Sequence, residues 1–330
     1  MVGESVSENA IAQGIVPSLG HLRTTFLTLH IAGGLVGLPL LILTLLFSER
    51  VPRQPALINF CIAWVINSIS YTLSGLSPDP LNPPSSLCFA QAAMVHGAPP
   101  MAAFATFIVV FKIWQTFRDP HGIWLGRSWT DTQTLFITII LPYIVFFIFF
   151  VISVVLQDRN PEAVSPGNGL YCTVYAPFRG WSVPMFSIMM LALMIGFEVA
   201  IGVHYYRSHK RIVTNFPLAP RTTSLGLVIR ITLFNMYLFI TFCASIVFLT
   251  GKRNQSWLFM VQAALPLVAF LVFASQKNVI LSWCFWIDTR KEHPSTSDTS
   301  MPTLRHTPSD THIDHLSSLA SRRFKDYRGE

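Results

Sequence analysis

The stretch TQTLFITIILPYIVFFIFFVISVVLQ, residues 132–157, contains no Asp, Glu, Lys or Arg. A helix needs roughly 20 apolar residues to cross the hydrocarbon core of a bilayer. An ionised side chain is costly at the bilayer centre, so an uncharged run of this length is informative. Backbone groups in lipid must bond within their own segment, which favours a helix. The stretch therefore predicts a membrane-spanning helix near residues 133–156.

Six similar runs surround this stretch. Five carry no charged residue, and the sixth, 180–206, has Glu198 alone. A β-barrel would instead show strands of about ten alternating residues. We therefore predict an all-α membrane protein, a seven-transmembrane helix bundle, whose other helices lie near residues 25–47, 55–76, 87–114, 181–206, 224–249 and 257–283.

The composition excludes a soluble nucleic-acid-binding protein. The chain has 330 residues, of which 52% are hydrophobic and 12% are charged. Soluble domains carry about a quarter charged residues, so this chain cannot cover itself with a solvated surface. Its net charge of +7 comes from short basic clusters between apolar runs. Such clusters are typical of loops that face anionic lipid, and the expected partner is a lipid bilayer.

The distribution of Lys and Arg predicts the orientation. With the N-terminus outside, only five of the 23 basic residues fall on the outer side. Because inner loops of membrane proteins are enriched in Lys and Arg, we expect this orientation. We expect the plasma membrane as the location. The first 22 residues lack the basic start of a cleavable signal peptide. We predict an extracellular segment at 1–22, the bundle at 23–286 and a disordered, Ser/Thr-rich cytoplasmic tail at 287–330.

Two of the five cysteines fall on the outer side in this orientation. Cys88 opens helix three, and Cys172 lies in the loop between helices four and five. Disulfides persist in oxidising compartments, so we expect a Cys88–Cys172 bridge that fastens the loop over the bundle. The alternative is two unpaired cysteines. Cys61 and Cys243 lie within helices, where thiols usually act as packing residues.

These features resemble the G-protein-coupled receptors over about residues 20–290. The shared features are seven helices, an outer N-terminus and the two outer cysteines. The rhodopsin-class signatures are absent, since helix three ends in FKIWQTFRDP (111–120) and helix seven reads LPLVAFLVFASQKN (265–278). The chain is more similar to divergent seven-helix receptors of fungi. The resemblance implies signal transduction for an unknown extracellular ligand, with a heterotrimeric G protein as partner.

Ionisable residues inside membrane helices are candidates for function. Glu198 of helix five and Arg230 of helix six lie at similar depth in the predicted helices, so we expect them to pair as a polar switch. The alternative is that Glu198 only packs. His96 of helix three is a further candidate, although a buried His is more often satisfied by a carbonyl, as we expect for His30. Small residues of helix one predict tight helix packing: Gly33, Gly34 and Gly37.

The inner ends carry candidate partner and modification sites. Six basic residues would meet a G protein, or would simply reflect the positive-inside rule: Arg118, Arg127, Arg207, Lys210, Arg211 and Arg221. Cys284 beside Trp283 is a palmitoylation candidate, with a structural thiol as the alternative. Asn254 begins a glycosylation sequon that we expect to be unused, because it lies so close to the membrane.

Other function classes find little support in the sequence. It has no HExxH, no phosphate-binding glycine loop and no clustered His, Asp and Glu, so we predict no enzyme, no cofactor and no metal site. Lys277 lies too near the end of helix seven for a retinal linkage. A transporter or channel would need more polar residues along a path than Glu198 and scattered Asn and Gln. A membrane scaffold without signalling stays open.

Overall fold

The computed structural model of the chain describes residues 19–48, 54–77, 83–118, 131–161, 164–165, 169–174, 182–215, 222–249 and 257–283. All of them belong to one unit of the chain, Met1–Trp286. These residues are mostly helical, as the uncharged runs predict. The helices are α1 (Gly20–Phe47), α2 (Pro55–Thr72), α3 (Ser85–Arg118), α4 (Asp131–Arg159), α5 (Ser182–Asn215), α6 (Thr222–Leu249), α7 (Trp257–Ala263), α8 (Leu265–Ala274) and α9 (Lys277–Trp283).

Five helices are long and apolar enough to cross a membrane: Gly20–Phe47, Pro55–Gly75, Ser85–Gln115, Leu135–Arg159 and Ser182–His204. The most apolar of them, α4, turns most of its surface outward, and its Phe147 is 61% exposed. A large exposed apolar face of this kind marks a membrane-facing surface. The chain therefore has the features of a membrane protein. In α6 and α8 the apolar stretches are shorter, Ile229–Cys243 and Leu265–Ala274, and the sixth and seventh crossings stay predictions.

Helix α1 contains a π-helical stretch, His30–Gly37, where it meets α8. A β-carbon at Gly33 would overlap the backbone of Leu267, and one at Gly37 would lie 2.6 Å from the ring of Phe270. Only glycine permits so close an approach of the two helices. The predicted small-residue packing is confirmed. The wider π turns begin at the buried His30.

The last segment differs from the predicted single helix over 257–283. It is three helices, interrupted at Ala264 and again at Ser275 and Gln276. Pro266 lies in the first turn of α8. Proline has no N–H and its ring displaces the carbonyl four residues before it, which breaks the helix at this point. The prediction of one continuous helix over residues 257–283 is therefore wrong.

Helix α3 lies at the centre of the bundle and packs against α2, α4 and α5. Helix α1 packs between α2 and α8, and α6 packs on α5 and α8. The main core joins α1, α2, α3, α5, α6 and the α7–α9 segment. Between α4 and α5, two short antiparallel strands, β1 (Val164–Ser165) and β2 (Thr173–Val174), rest on α3. The sequence analysis treated this connection as a loop and did not predict the strands.

Candidate ligand-binding cavity

The segment 169–174 is fastened across one end of the bundle by a disulfide bond. Cys88, in the first turn of α3, is bonded to Cys172, and their Cα atoms are 5.2 Å apart. Cys172 is completely buried. The predicted Cys88–Cys172 bridge is therefore present. The end of the bundle that carries it is called the disulfide end below.

A buried glutamine holds the same segment. Gln91 lies one turn beyond Cys88 and is 0% exposed. Its Oε1 accepts the backbone N–H of Cys172 at 3.0 Å. Its Nε2 donates to the carbonyls of Ser70 and Tyr71, at 3.1 and 3.3 Å, near the end of α2 where helix carbonyls lose their own partners. Gln91 thus joins the loop, α2 and α3. The role of Gln91 was not predicted from the sequence, because a lone Gln in an apolar run forms no pattern.

Aromatic rings complete this attachment. Tyr171 packs edge-on against Tyr71 of α2, with ring centroids 4.9 Å apart, and stacks with Phe26 of α1 at 5.8 Å. Tyr71 in turn stacks on His30 at 5.2 Å. Leu170 is buried in the same cluster. Segment 169–174 is therefore a packed roof over α1, α2 and α3 and not a free loop.

A cavity of about 150 Å³ lies inside the bundle near this roof. Every helical segment except α4 and α9 contributes to its wall. As far as the described residues form it, the lining is mostly apolar and contains no Asp, Glu, Lys or Arg. Ligand sites are typically concave, largely apolar and provided with a few polar groups. The lining residues are His30, Trp64, Asn67, Tyr71, Pro99, Ala102, Ala103, Ser187, Leu191, Met194, Leu238, Thr241, Phe242, Gln262 and Leu265.

Two buried polar atoms of cavity-lining residues have no hydrogen-bond partner among the described residues. Trp64 is 4% exposed and Asn67 is 5% exposed. Within the described part of the chain, neither Trp64 Nε1 nor Asn67 Oδ1 forms a hydrogen bond. Buried polar groups are normally paired, and an unpaired one costs on the order of 1–3 kcal/mol. Trp64 and Asn67, which line the cavity from neighbouring turns of α2, thus hold one unpaired donor and one unpaired acceptor, both covered by their surroundings.

His30 is partly satisfied from α2. Its Nδ1 lies 3.5 Å from Ser68 Oγ, and that hydroxyl donates to the carbonyl of Trp64 at 3.0 Å. His30 is 2% exposed and lines the cavity where the π turns of α1 begin. The expected role of His30, a satisfied buried histidine, agrees with this contact, although its partner is a hydroxyl and not a carbonyl.

An aromatic cluster lies beside Trp64, deeper in the bundle. Trp64 packs edge-on against Phe234 of α6, with ring centroids 5.6 Å apart. Phe60 of α2 contacts Phe234 at 5.5 Å and Phe273 of α8 at 5.2 Å. All four rings are buried. The cavity wall is thus in direct contact with α6.

Next to this cluster, Glu198 of α5 pairs with Asn235 of α6. Asn235 Nδ2 donates to Glu198 Oε1 at 2.5 Å. Asn235 is 2% exposed, and its own Oδ1 has no partner among the described residues. The pair is a polar connection between α5 and α6 inside an otherwise apolar interface.

The predicted pair of Glu198 with Arg230 is not formed in the structure. Arg230 Nε and Nη2 instead donate to Oγ and the backbone carbonyl of Ser275, at 3.4 and 3.3 Å. The physical reason is the position of each residue along the length of α6. Asn235 lies level with Glu198, and Arg230 is five residues away along α6, about 7.5 Å at 1.5 Å per residue. Arg230 therefore reaches the break between α8 and α9.

His96 lies outside the cavity. Its Nε2 is 3.3 Å from Ser182 Oγ at the beginning of α5, and its ring lies 6.2 Å from that of Phe149 in α4. His96 is thus separate from Glu198 and Arg230, and the three expected members of a switch are not in contact.

The remaining predicted site residues lack described side chains. Arg118, Arg207, Lys210 and Arg211 belong to helices whose side chains are not described there. Arg127, Arg221, Asn254 and Cys284 lie outside the described residues. In the described part of the chain, no group of three or more His, Cys, Asp or Glu residues could hold a metal ion.

The cavity wall could have been found partly from sequence. Trp64, Asn67 and Tyr71 are spaced three and four residues apart, so they share one face of a helix. This polar and aromatic stripe interrupts an apolar run, and the sequence analysis did not single it out. No model of a known protein family matches the chain, and no curated protein matches it.

Proposed function

We propose that the protein is a seven-span receptor of the plasma membrane, which binds an extracellular ligand in the cavity and signals through a heterotrimeric G protein. The observation that carries the proposal is the cavity itself. It lies among helices from across the bundle, and its lining residue Tyr71 contacts the roof that a disulfide bond and Gln91 hold. A ligand there would contact α1, α2, α3, α5 and α6 together, and could favour one arrangement of them over another.

The orientation comes from the basic residues. Inner segments hold 18 of the 23 Lys and Arg when the N-terminus is outside. In this orientation the disulfide end faces the oxidising exterior, where such bonds persist. The cavity would then lie in the outer half of the bundle.

The route of the signal would be α6. Trp64 in the cavity wall contacts Phe234, and the next residue, Asn235, is bonded to Glu198 of α5. A ligand that shifts Trp64 would displace Phe234 and with it the α5–α6 connection. Arg207, Lys210 and Arg211 belong to the inner end of α5, and Arg221 comes directly before α6 in the sequence; such basic residues suit a cytoplasmic partner.

Transport is less well supported. Conduction of an ion or polar solute needs a continuous polar lining. Phe60, Phe234 and Phe273, each 3% exposed or less, lie in the bundle core beyond the cavity and line no such path. A scaffold that only holds partners together would need no cavity.

Nucleotide exchange on Gα tests the proposal. The protein is reconstituted in nanodiscs with a panel of heterotrimeric G proteins and challenged with a library of small molecules. We expect at least one compound to accelerate exchange. Ser187→Phe, which fills the cavity, should abolish the response, because Ser187 lines its wall. The matched control Ile144→Phe, on the exposed face of α4, should retain it.

Two results would overturn the proposal. One is the absence of any acceleration by folded protein with its disulfide intact. The other is uptake of solute into vesicles that depends on the protein and is blocked by Ser187→Phe, which would identify a transporter instead.

A further inference from the structure

The unpaired atoms of the cavity wall point to a class of ligand. Trp64 Nε1 can only donate a hydrogen bond, and Asn67 Oδ1 can only accept one. They lie three residues apart on one face of α2, where side chains are neighbours about 5–6 Å apart at their β-carbons. Both residues line the same cavity, and neither atom has a hydrogen-bond partner within the described residues. Both atoms are covered by their surroundings, so a polar group of a ligand would reach them when the two side chains turn toward the cavity, and one such group could satisfy both.

The absence of charged side chains in the cavity wall also restricts the class of ligand. None of the described residues that line the cavity is Asp, Glu, Lys or Arg. An ionised ligand would therefore be buried without a counter-charge, which is strongly unfavourable. The rest of the lining is apolar and aromatic, including Leu191, Met194, Leu238 and Phe242.

The volume of the cavity sets the size of the ligand group that fits inside it. An apolar cavity of about 150 Å³ accommodates benzene. The present cavity has a similar volume. A body the size of one aromatic ring, with a short polar substituent, fills such a space.

We infer that the cavity takes a compact, uncharged molecule whose hydroxyl or amide group accepts a hydrogen bond from Trp64 Nε1 and donates one to Asn67 Oδ1. Both kinds of group can donate and accept, so one substituent serves both wall atoms. This inference rests on the proposed receptor function for its physiological meaning. It concerns binding alone, so it can be tested without a signalling partner.

Benzyl alcohol is the probe, and toluene has the same body without the polar group. Benzylammonium and benzoate are the charged counterparts. Dissociation constants are taken from probe-dependent shifts in the unfolding temperature of the purified protein in nanodiscs. The Ser187→Phe protein, whose cavity is filled, gives the shift caused by partition into lipid, which is subtracted.

We expect benzyl alcohol to bind about fivefold more tightly than toluene, since one net hydrogen bond contributes about 1 kcal/mol. Charged probes should give no specific shift. Trp64→Phe and Asn67→Leu should each remove the preference for benzyl alcohol and leave toluene binding unchanged. Trp114→Phe, a tryptophan of α3 outside the cavity, is the matched control and should keep the preference.

Three results would overturn the inference: no specific binding of benzyl alcohol, equal binding of toluene, or a preference that survives in both cavity variants. Equal binding of toluene would mean that water satisfies the two atoms. If benzyl alcohol binds as expected but no Gα responds to any compound, the receptor proposal fails and the inference stands. If Gα responds to a charged ligand that Ser187→Phe blocks, the inference fails and the receptor proposal stands.

Discussion

Helix α2 carries two buried asparagines, eight residues apart, on different faces. Asn59 faces α4, where Nδ2 donates to the carbonyls of Thr138 and Ile139, both at 3.2 Å. Its Oδ1 accepts from the hydroxyl of Tyr143 at 2.8 Å. Asn67 faces the cavity, and its Oδ1 has no partner among the described residues. The two have nearly equal burial, 4% and 5% exposed.

The contrast between paired and unpaired polar groups extends from α2 to the neighbouring helices. On the face toward α3 and α4, Asn59 and Gln91 connect neighbouring helices and the roof through satisfied polar groups. On the cavity face, Trp64 and Asn67 keep unpaired atoms at a cost in stability. Polar groups that are fully paired make a unique, rigid packing, whereas orphaned ones call for an explanation such as a ligand. The first face supports the fold, and we propose that the second binds a ligand.

The largest expected effect on stability concerns the disulfide bond that holds the roof, segment 169–174. Replacing both Cys88 and Cys172 with Ser should lower the free energy of unfolding by about 3 kcal/mol, because the bond closes a long loop of the unfolded chain. Hydrogen exchange should rise more in segment 169–174 than in α2 or α4. The reduced wild-type protein is the control. An unchanged free energy of unfolding would show that Gln91 and the aromatic contacts hold the roof alone.

A smaller effect is expected from Asn59→Leu. Loss of the amide leaves the Tyr143 hydroxyl unpaired, and the free energy of unfolding should fall by about 2 kcal/mol. Unfolding titrations in mixed micelles measure it. In a Tyr143→Phe background the same substitution should cost less, because the shared hydrogen bond is already gone. Equal costs in the two backgrounds would show that the Asn59–Tyr143 bond contributes little.

The architecture could be read from the sequence to a considerable extent. Uncharged runs predicted the helices α1 to α6 within a few residues at most ends, although α5 extends nine residues past its expected end to Asn215. The two cysteines predicted the bridge, because they were the two expected at the outer end of the bundle. The Cα–Cα distance of 5.2 Å that the bond requires comes from the structure. These inferences depend on composition and coarse position, which a sequence records directly.

The partners of polar residues could not be predicted in the same way. Whether Glu198 meets Arg230 or Asn235 depends on the axial position of α6 to within one turn. Uncharged runs define helix ends only to several residues, which is a larger uncertainty. The cavity depends in addition on the rotation of each helix. The break at Pro266 was missed, because proline is often tolerated within membrane helices and the surroundings decide the outcome.

The most direct test of the contrast within α2 is the free energy of unfolding of Asn67→Leu, measured without ligand beside that of Asn59→Leu. We predict that Asn67→Leu changes it by less than about 0.5 kcal/mol or stabilises the protein by up to about 1 kcal/mol, because the substitution removes an unpaired buried group. A loss of stability equal to that of Asn59→Leu would contradict this. It would show that Asn67 supports the fold and is not reserved for a ligand.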